Sequence, residues 1–472
     1  MTSILVTLAA VCGVAVVASC VWHAILSART PQGAVAWAVF LISSPWLAMP
    51  VYLVIGRRKL QDYRAAWRQS QGAITGFRLC HAAVEPATPK QATLVALERI
   101  GGLPFIGGNT VRLLVNGDET FDAICEAIDR AQDTICLQFY IIRNDDLGRQ
   151  VATHLIRAAE RGVRVRVMYD GVGSQKLPEA WPQRLRDAGV KVLNPDQSRG
   201  PTSRLEINFR NHRKTVIVDE KTAFVGGHNI GDEYLGLDPH FGHWRDTHLE
   251  LQGPIAMQAQ TVFAEDWHWA CGETLETSLE WKADTENIAT AETTAALVPT
   301  GPGDPLDSGS LMFFAAITAA TERVWIASPY FVPDTDILSA LTAAALAGKD
   351  VRLLLPSIID HYLPWVAAHA YFDEIRAAGV KVYRYQGGFM HQKVILIDND
   401  LSAVGTANLD NRSFRLNFES MVFVADKDFA NAVECMLAAD LDNCEEVTRA
   451  LDEQPPVIRY GAPLARLWAP IL

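Results

Sequence analysis

The stretch 211–229, NHRKTVIVDEKTAFVGGHN, sets a histidine and a lysine two residues apart at the start of an apolar run. In an extended chain successive side chains alternate between faces, so His212 and Lys214 point one way and Arg213 the other. A nucleophile and a cation then share a face. Taken alone, the segment reads equally well as an ordinary strand end with solvated charges. A second copy removes that alternative. MHQKVILIDNDLSAVGTANLDNRSF (390–414) places His391, Lys393 and Asp398 at the spacing of His212, Lys214 and Asp219. Counted from each histidine, Gly226 matches Gly405 and Asn229 matches Asn408.

The flanking sequence repeats in the same order. TVRLLV (110–115) is strand-like, ETFDAICEAIDRAQ (119–132) has helical apolar spacing, TICLQFYII (134–142) is a buried strand, GRQVATHLIRAAERG (148–162) a helix and VRVRVMYD (163–170) a strand. The alternation returns in GSLMFFAAITAATE (309–322), RVWIASPYF (323–331), DILSALTAAALAGK (336–349) and DVRLLLP (350–356). YFDEIRAAGVKVYRY (371–385) then parallels AWPQRLRDAGVKVLNP (180–195), down to a shared AGVKV. This is an internally duplicated α/β chain with halves at 96–285 and 286–472. The seam is expected near 280–300, in the small, polar, Gly/Pro-rich ADTENIATAETTAALVPTGPGDP.

A chain of 472 residues has ample length for more than one core. Its net charge of −12 disfavours a general nucleic-acid binder, so an anionic substrate must be held by local positive charge. Eight cysteines show no C-x-x-C pair, which indicates neither a zinc framework nor a disulfide scaffold.

The N-terminus has a different character. Ser3 to Ala28 and Thr30 to Gly56 contain no formal charge, and each exceeds the roughly 20 residues a spanning helix needs. Trp37, Trp46 and Tyr52 suit interfacial anchoring, and Pro45 and Pro50 would kink the second span. Only Arg29 lies between the spans, whereas Arg57, Arg58, Lys59, Arg64 and Arg68 follow the second. The sequence thus predicts a transmembrane hairpin over 1–60, a linker over 61–95 and a cytoplasmic body. A signal peptide over 1–26, or a lipoprotein box at VASC (17–20), is countered by the missing basic n-region and by the second span that follows.

Two histidines suit a nucleophile and a general acid, while lysines and asparagines supply positive charge and hydrogen-bond donors to an oxyanion. Such a set fits a phosphodiester passing through five-coordinate phosphorus and calls for no metal or other cofactor. Asp219 and Asp398, seven residues beyond their histidines, have the opposite strand parity and read as turn or supporting residues.

H-x-K-x-x-x-x-D followed by G-x-x-N, present twice, resembles the signature of the phospholipase D superfamily. From about residue 100 onward the resemblance is continuous. QFYIIRNDDLG, GGHNIGDEY, WRDTH, SPYFVPD and GTANLDNRSFRLNFE make the chain look like the bacterial cardiolipin synthases within it. The resemblance implies two α/β/α sandwich domains related by a pseudo-two-fold axis, and phosphatidyl transfer between two phosphatidylglycerol molecules through a phosphohistidine. It implies a catalytic set of His212, Lys214, Asp219, His391, Lys393 and Asp398, so both aspartates are carried over against the parity argument. It also implies substrate contacts from Asn229, Asn408 and Ser413, and supporting carboxylates at Glu419 and Asp246. The partners implied are phosphatidylglycerol and an anionic bilayer, in a bacterial inner membrane. Self-association stays open.

Some residues carry weaker signals. His228 departs from the apolar residue expected before the motif asparagine and is expected to be a half-exposed loop histidine. His248 shares a strand face with Asp246 and so either faces the site or packs in the core. Tyr140 and Tyr330 end strands in their halves and are candidate substrate contacts; HYLPWVAAHAYF (361–372) lines an acyl-chain entrance or belongs to the core. Water and alcohol acceptors are not distinguished by the motifs, so a hydrolase of the same superfamily remains the alternative. A silent membrane scaffold is disfavoured by two intact motif sets, and the two sets are too alike to assign the nucleophile.

Overall fold

The computed structural model describes residues 2–27, 31–52, 92–195, 209–275, 279 and 293–472. The basic residues at 57–68, Arg29, most of the 61–95 linker and residues 280–292 of the expected seam lie outside the described residues. The chain divides into two compact units, 1–66 and 67–472.

In the first unit, α1 (Thr2–Ser27) packs against α2 (Pro31–Ser43) and α3 (Pro45–Val51). The break at Ser44 and Pro45 is where proline removes a backbone donor. Ala24, Leu41, Ala48 and Tyr52 are buried between the helices, and His23 Nδ1 lies 2.7 Å from the Tyr52 hydroxyl. Most other apolar side chains of the unit are exposed. Among the described residues no helix is long and apolar enough to cross a membrane; in α1 the longest unbroken run of described side chains is 11–26.

The second unit is built on one 16-stranded sheet. Its first half runs, from the edge inward, Lys191–Leu193, Arg164–Tyr169, Thr134–Phe139, Thr215–Val218, Thr222–Gly226, Thr247–Gln252 and Ile106–Val115. The second half repeats that order with Lys381–Tyr385, Asp350–Pro356, Arg323–Ala327, Val394–Ile397, Leu401–Gly405, Asn417–Ala425 and Thr293–Thr300. Cys444–Glu446 adds an outer edge strand to the second half alone. The halves meet where Ile106–Val115 pairs antiparallel with Thr293–Thr300, so the sheet is continuous. The C-terminal part of the expected seam is therefore a strand at the centre of the sheet. LVPT looked like linker in sequence because its apolar stretch is short and ends on a proline.

Helices cover both faces, which is why Thr134–Phe139 and Val394–Ile397 are buried at every position and do not alternate. The helix Asn116–Arg130 buries Phe121, Ile124, Cys125 and Ile128, the i, i+3, i+4, i+7 pattern of one helical face. Asp145 and Asp426 cap the helices Asp146–Glu160 and Lys427–Leu441 by accepting the N–H groups of Gly148 and Phe429. In HYLPWVAAHAYF, Val366, Ala367, Ala368, His369, Tyr371 and Phe372 are core, and Tyr362 and Leu363 are exposed.

Candidate active site

Each His-x-Lys tripeptide joins a two-residue strand to a strand of the large sheet. Arg210–Asn211 leads into His212 and Phe389–Met390 into His391. These leaders pair in parallel with the opposite half: Arg210–Asn211 with Asn417–Phe418, and Phe389–Met390 with Trp244–Arg245. The His212 N–H donates to the Phe418 carbonyl at 3.0 Å, and the His391 N–H to that of Arg245 at 2.8 Å. Each imidazole is thereby delivered to a carboxylate of the other half. His212 Nδ1 lies 2.9 and 3.0 Å from the Glu419 oxygens, and His391 Nδ1 lies 2.7 Å from Asp246 Oδ2. With Nδ1 engaged, Nε2 of each ring is left for chemistry.

The lysines are fully buried; Lys214 Nζ donates to the His212 carbonyl at 2.6 Å and Lys393 Nζ to that of His391. Burial lowers the Lys393 ammonium to about 8 and Lys214 well below its ordinary value. Burial also brings the His212 imidazole down to about 4, against the pull of Glu419, while burial and the two lysines hold His391 well below its usual range. Burial thus favours neutral imidazoles beside cations that are costly to keep charged. An entering phosphate monoanion offsets that cost and raises both histidines. Tyr140 closes one side, its ring 5.0 Å from that of His212 and 5.5 Å from Lys214 Nζ.

The two carboxylates are held differently. Glu419 accepts from Thr406 Oγ1 at 2.6 Å and Asn417 Nδ2 at 3.1 Å, and hydrogen bonds and nearby cations hold it below the usual carboxylate range despite burial. At the equivalent of Thr406 the first half has Gly227, where a Cβ would fall 2.0 Å from Asp246 Oδ1. Only glycine leaves room there for Asp246, which accepts the Thr247 N–H at 2.8 Å. Behind it lie His228 and His248, ring centroids 5.7 Å apart, fully buried, with none of their ring nitrogens hydrogen-bonded. His228 is thus not the half-exposed loop residue expected: its loop is folded under by the pairing of Gly226 with His248. The corresponding residues of the second half are Ala407 and Met421.

The asparagines also differ. Asn229 Oδ1 accepts the Ile141 N–H at 3.0 Å and its Nδ2 donates to the Tyr234 hydroxyl at 3.0 Å. Asn408 has a buried amide oxygen without a partner, and its backbone N–H donates to Ser413 Oγ at 3.1 Å.

Asp219 and Asp398 are held at the far end of their motif strands. Each follows the whole strand that begins after its lysine, placing it on the order of 15 Å or more from its histidine. Asp219 accepts the N–H groups of Gln132, Asp133 and Thr134; Asp398 accepts those of Thr321, Glu322 and Arg323 and the Thr321 hydroxyl. Both have φ of +50°, a left-handed turn conformation that aspartate tolerates better than most residues. They fasten the far end of each motif strand to the start of the next.

Sequence reasoning did not find the ties between halves. Arg213 reaches the Glu419 and Thr300 carbonyls of the other half and Asp266 of its own. Arg245 pairs with Asp440, which also accepts from Gln392 at 2.8 Å. These partners are 48 to 206 residues apart, and only buried arginine in an apolar context could have marked them. Tyr330 donates to Asp360, whose carboxylate also meets His361 Nδ1 at 2.8 Å. Asp360 is among the charges acting on His391.

The family model described as "Cardiolipin synthase, PLD-like domain" matches residues 124–267 and 313–441, one match per half. A curated protein of Pseudomonas fluorescens named Cardiolipin synthase A is 45% identical over 459 residues, covering 95% of each chain. Its namesake in Pseudomonas syringae pv. syringae is 45% identical over 460 residues with the same coverage. Among solved structures, a phosphatidylserine synthase of Haemophilus influenzae superposes with a TM-score of 0.62 at 14% identity, over 81% of this chain and 100% of that one, a likeness of fold. With both motif sets gathered at the crossed His–carboxylate pairs, the chain belongs to the cardiolipin synthase, PLD-like family.

Proposed function

We propose that the chain makes cardiolipin by moving a phosphatidyl group between two phosphatidylglycerol molecules at a single site formed by both halves. The observation that carries this reading is the pair of crossed contacts, His212 with Glu419 and His391 with Asp246, beside two buried lysines. Relatives named Cardiolipin synthase A, 45% identical over nearly the whole chain, give the substrate class.

His212 Nε2 attacks phosphorus and the bond to the glycerol headgroup breaks; the departing oxygen takes a proton from His391. The phosphatidyl group then sits on His212 as a phosphoramidate. A hydroxyl of a second phosphatidylglycerol attacks phosphorus, gives its proton to His391, and the P–N bond breaks. Lys214 and Lys393 face the phosphate; the Asn229 amide is already engaged by Ile141 and Tyr234, whereas the unpartnered Asn408 amide oxygen can accept a hydroxyl of the glycerol headgroup. Glu419 and Asp246 stabilise the imidazolium forms.

We further propose that the first 60 residues act as a membrane hairpin, a reading supported by the two stretches of sequence without charge, 3–28 and 30–56. The basic residues after it favour a body on the cytoplasmic side of a bacterial inner membrane.

Incubation with phosphatidylglycerol alone should yield cardiolipin and glycerol. Phosphatidic acid and glycerol would instead assign a hydrolase. For the division of labour, a labelled donor with an activated headgroup should leave label on His391→Ala and none on His212→Ala. Label on the latter, mapped to His391, reverses the two roles.

A further inference from the structure

The helix Pro456–Arg466 is amphipathic in an inverted sense. Its buried side is made of small residues, Ala462 and Ala465, with Gly461 facing Val366 of the helix Tyr362–Ala377 at a distance where a Cβ would make ordinary contact. Its outer side carries Val457, Tyr460 and Leu464, continued by Leu467 and Trp468 in the following helical turn, and all five are 55–76% exposed. At 3.6 residues per turn these five fall within an arc of about 100°. Soluble proteins rarely leave so continuous an apolar stripe in water. The stretch 456–472 contains Arg459 and Arg466 and no acidic residue, in a chain of net charge −12.

The stripe is tied to the site through its supporting helix and through the C-terminal residue. The helix Tyr362–Ala377, on which it lies, begins next to Asp360 and His361, and its exposed Tyr362 extends the apolar surface. At the far end the Leu472 carbonyl accepts the Arg412 N–H at 2.7 Å, one residue from Ser413, which holds Asn408.

We propose that the helix 456–466 and the turn after it form an interfacial docking element. It sinks the Val457–Trp468 stripe into the headgroup–acyl boundary of an anionic bilayer and so brings the pocket mouth to its lipid. Apolar burial supplies the attraction, Tyr460 and Trp468 have the amphipathic rings that favour the interface, and the absence of acidic residues from 456–472 leaves nothing there to repel an anionic surface. This rests on the reading above that the substrate is a bilayer lipid. It adds a second attachment, one that sets orientation, to the expected N-terminal hairpin.

The test uses the full chain in vesicles of equal parts phosphatidylglycerol and phosphatidylethanolamine. A photoreactive benzoylphenylalanine at 464 or 467 should give protein–lipid adducts by mass spectrometry. Adducts to a second copy or to residues 1–66, or no lipid adduct, overturn the proposal. Leu464→Asp with Leu467→Asp should lower transfer in vesicles at least tenfold, with turnover of a soluble short-chain phosphatidylglycerol and the melting temperature unchanged. Equal loss on both substrates means the stripe serves the fold and defeats the proposal. Lipid adducts from the chain with benzoylphenylalanine at 464, together with a wild-type chain that converts neither substrate, count against the catalytic reading alone.

Discussion

Replacing His228 and His248 by the residues the other half carries, His228→Ala with His248→Met, should make the protein markedly more resistant to acid. In the fold both imidazoles are held down to about 3, chiefly by burial and against the opposing pull of Asp246. The charged groups acting on them are Asp246, His391 and Lys393 for His228, which also feels His248, and Asp246 and Lys214 for His248. In the unfolded chain each takes up a proton below about 6.5. Between those values the unfolded state binds more protons than the folded one, so the stability these groups contribute is full above pH 6.5 and is lost as pH falls toward 3. At pH 5, some 1.5 below the ordinary imidazole value, each histidine accounts for roughly 2 kcal/mol of lost stability, and the pair for about 4 kcal/mol. The assay is equilibrium urea unfolding at pH 7.5 and pH 5.0 of wild type and double variant in the same detergent. The variant's loss between the two pH values should be smaller by about that amount. Because the comparison is between pH values, a cavity left by the alanine cancels. Equal losses in the two proteins would show that the imidazoles are protonated in the native state, and the account of the pair as neutral and unpartnered would fall.

Asp246→Asn and Glu419→Gln should each lower kcat by about 10–100-fold, the scale of a charge-assisted hydrogen bond, with KM changed little; rates at saturating lipid check this. Glu419→Gln should slow phosphohistidine formation on the other half's His212, read by quench-flow with labelled donor. Asp219→Ala and Asp398→Ala should cost stability, roughly 1–3 kcal/mol each in urea, while the folded fraction keeps near-normal kcat; a thousandfold fall in kcat at full folding would return them to the site. Activity should persist in excess chelator at fixed vesicle composition, since lysine and asparagine stand where a metal enzyme gathers carboxylates.

The duplication and the order of strands and helices were legible because local signals repeat: a short motif, a shared AGVKV, apolar spacing that alternates. The parity argument also placed Asp219 and Asp398 correctly at the far turn, and it was the resemblance that drew them toward the chemistry. The crossing was not legible. His212 and Glu419 are 207 residues apart, and their meeting depends on which half the leader strand Arg210–Asn211 pairs with. His228 misled for a related reason. Glycines around a histidine signal an exposed loop, but Gly227 is there to admit Asp246, a requirement visible only after folding.

The crossed carboxylates have a consequence for what such a chain can become. Each half carries a histidine whose carboxylate partner comes from the other half, so the proposed chemistry needs the two halves together. A single chain also lets the two edges of the site differ: threonine stands against glycine, alanine against histidine, and methionine against histidine, at positions 406 and 227, 407 and 228, and 421 and 248. A lesion at Glu419 and one at His212 disable the same imidazole although they lie in different halves. In a genetic screen they would fall into one functional class, and a map drawn by half would separate what the chemistry joins.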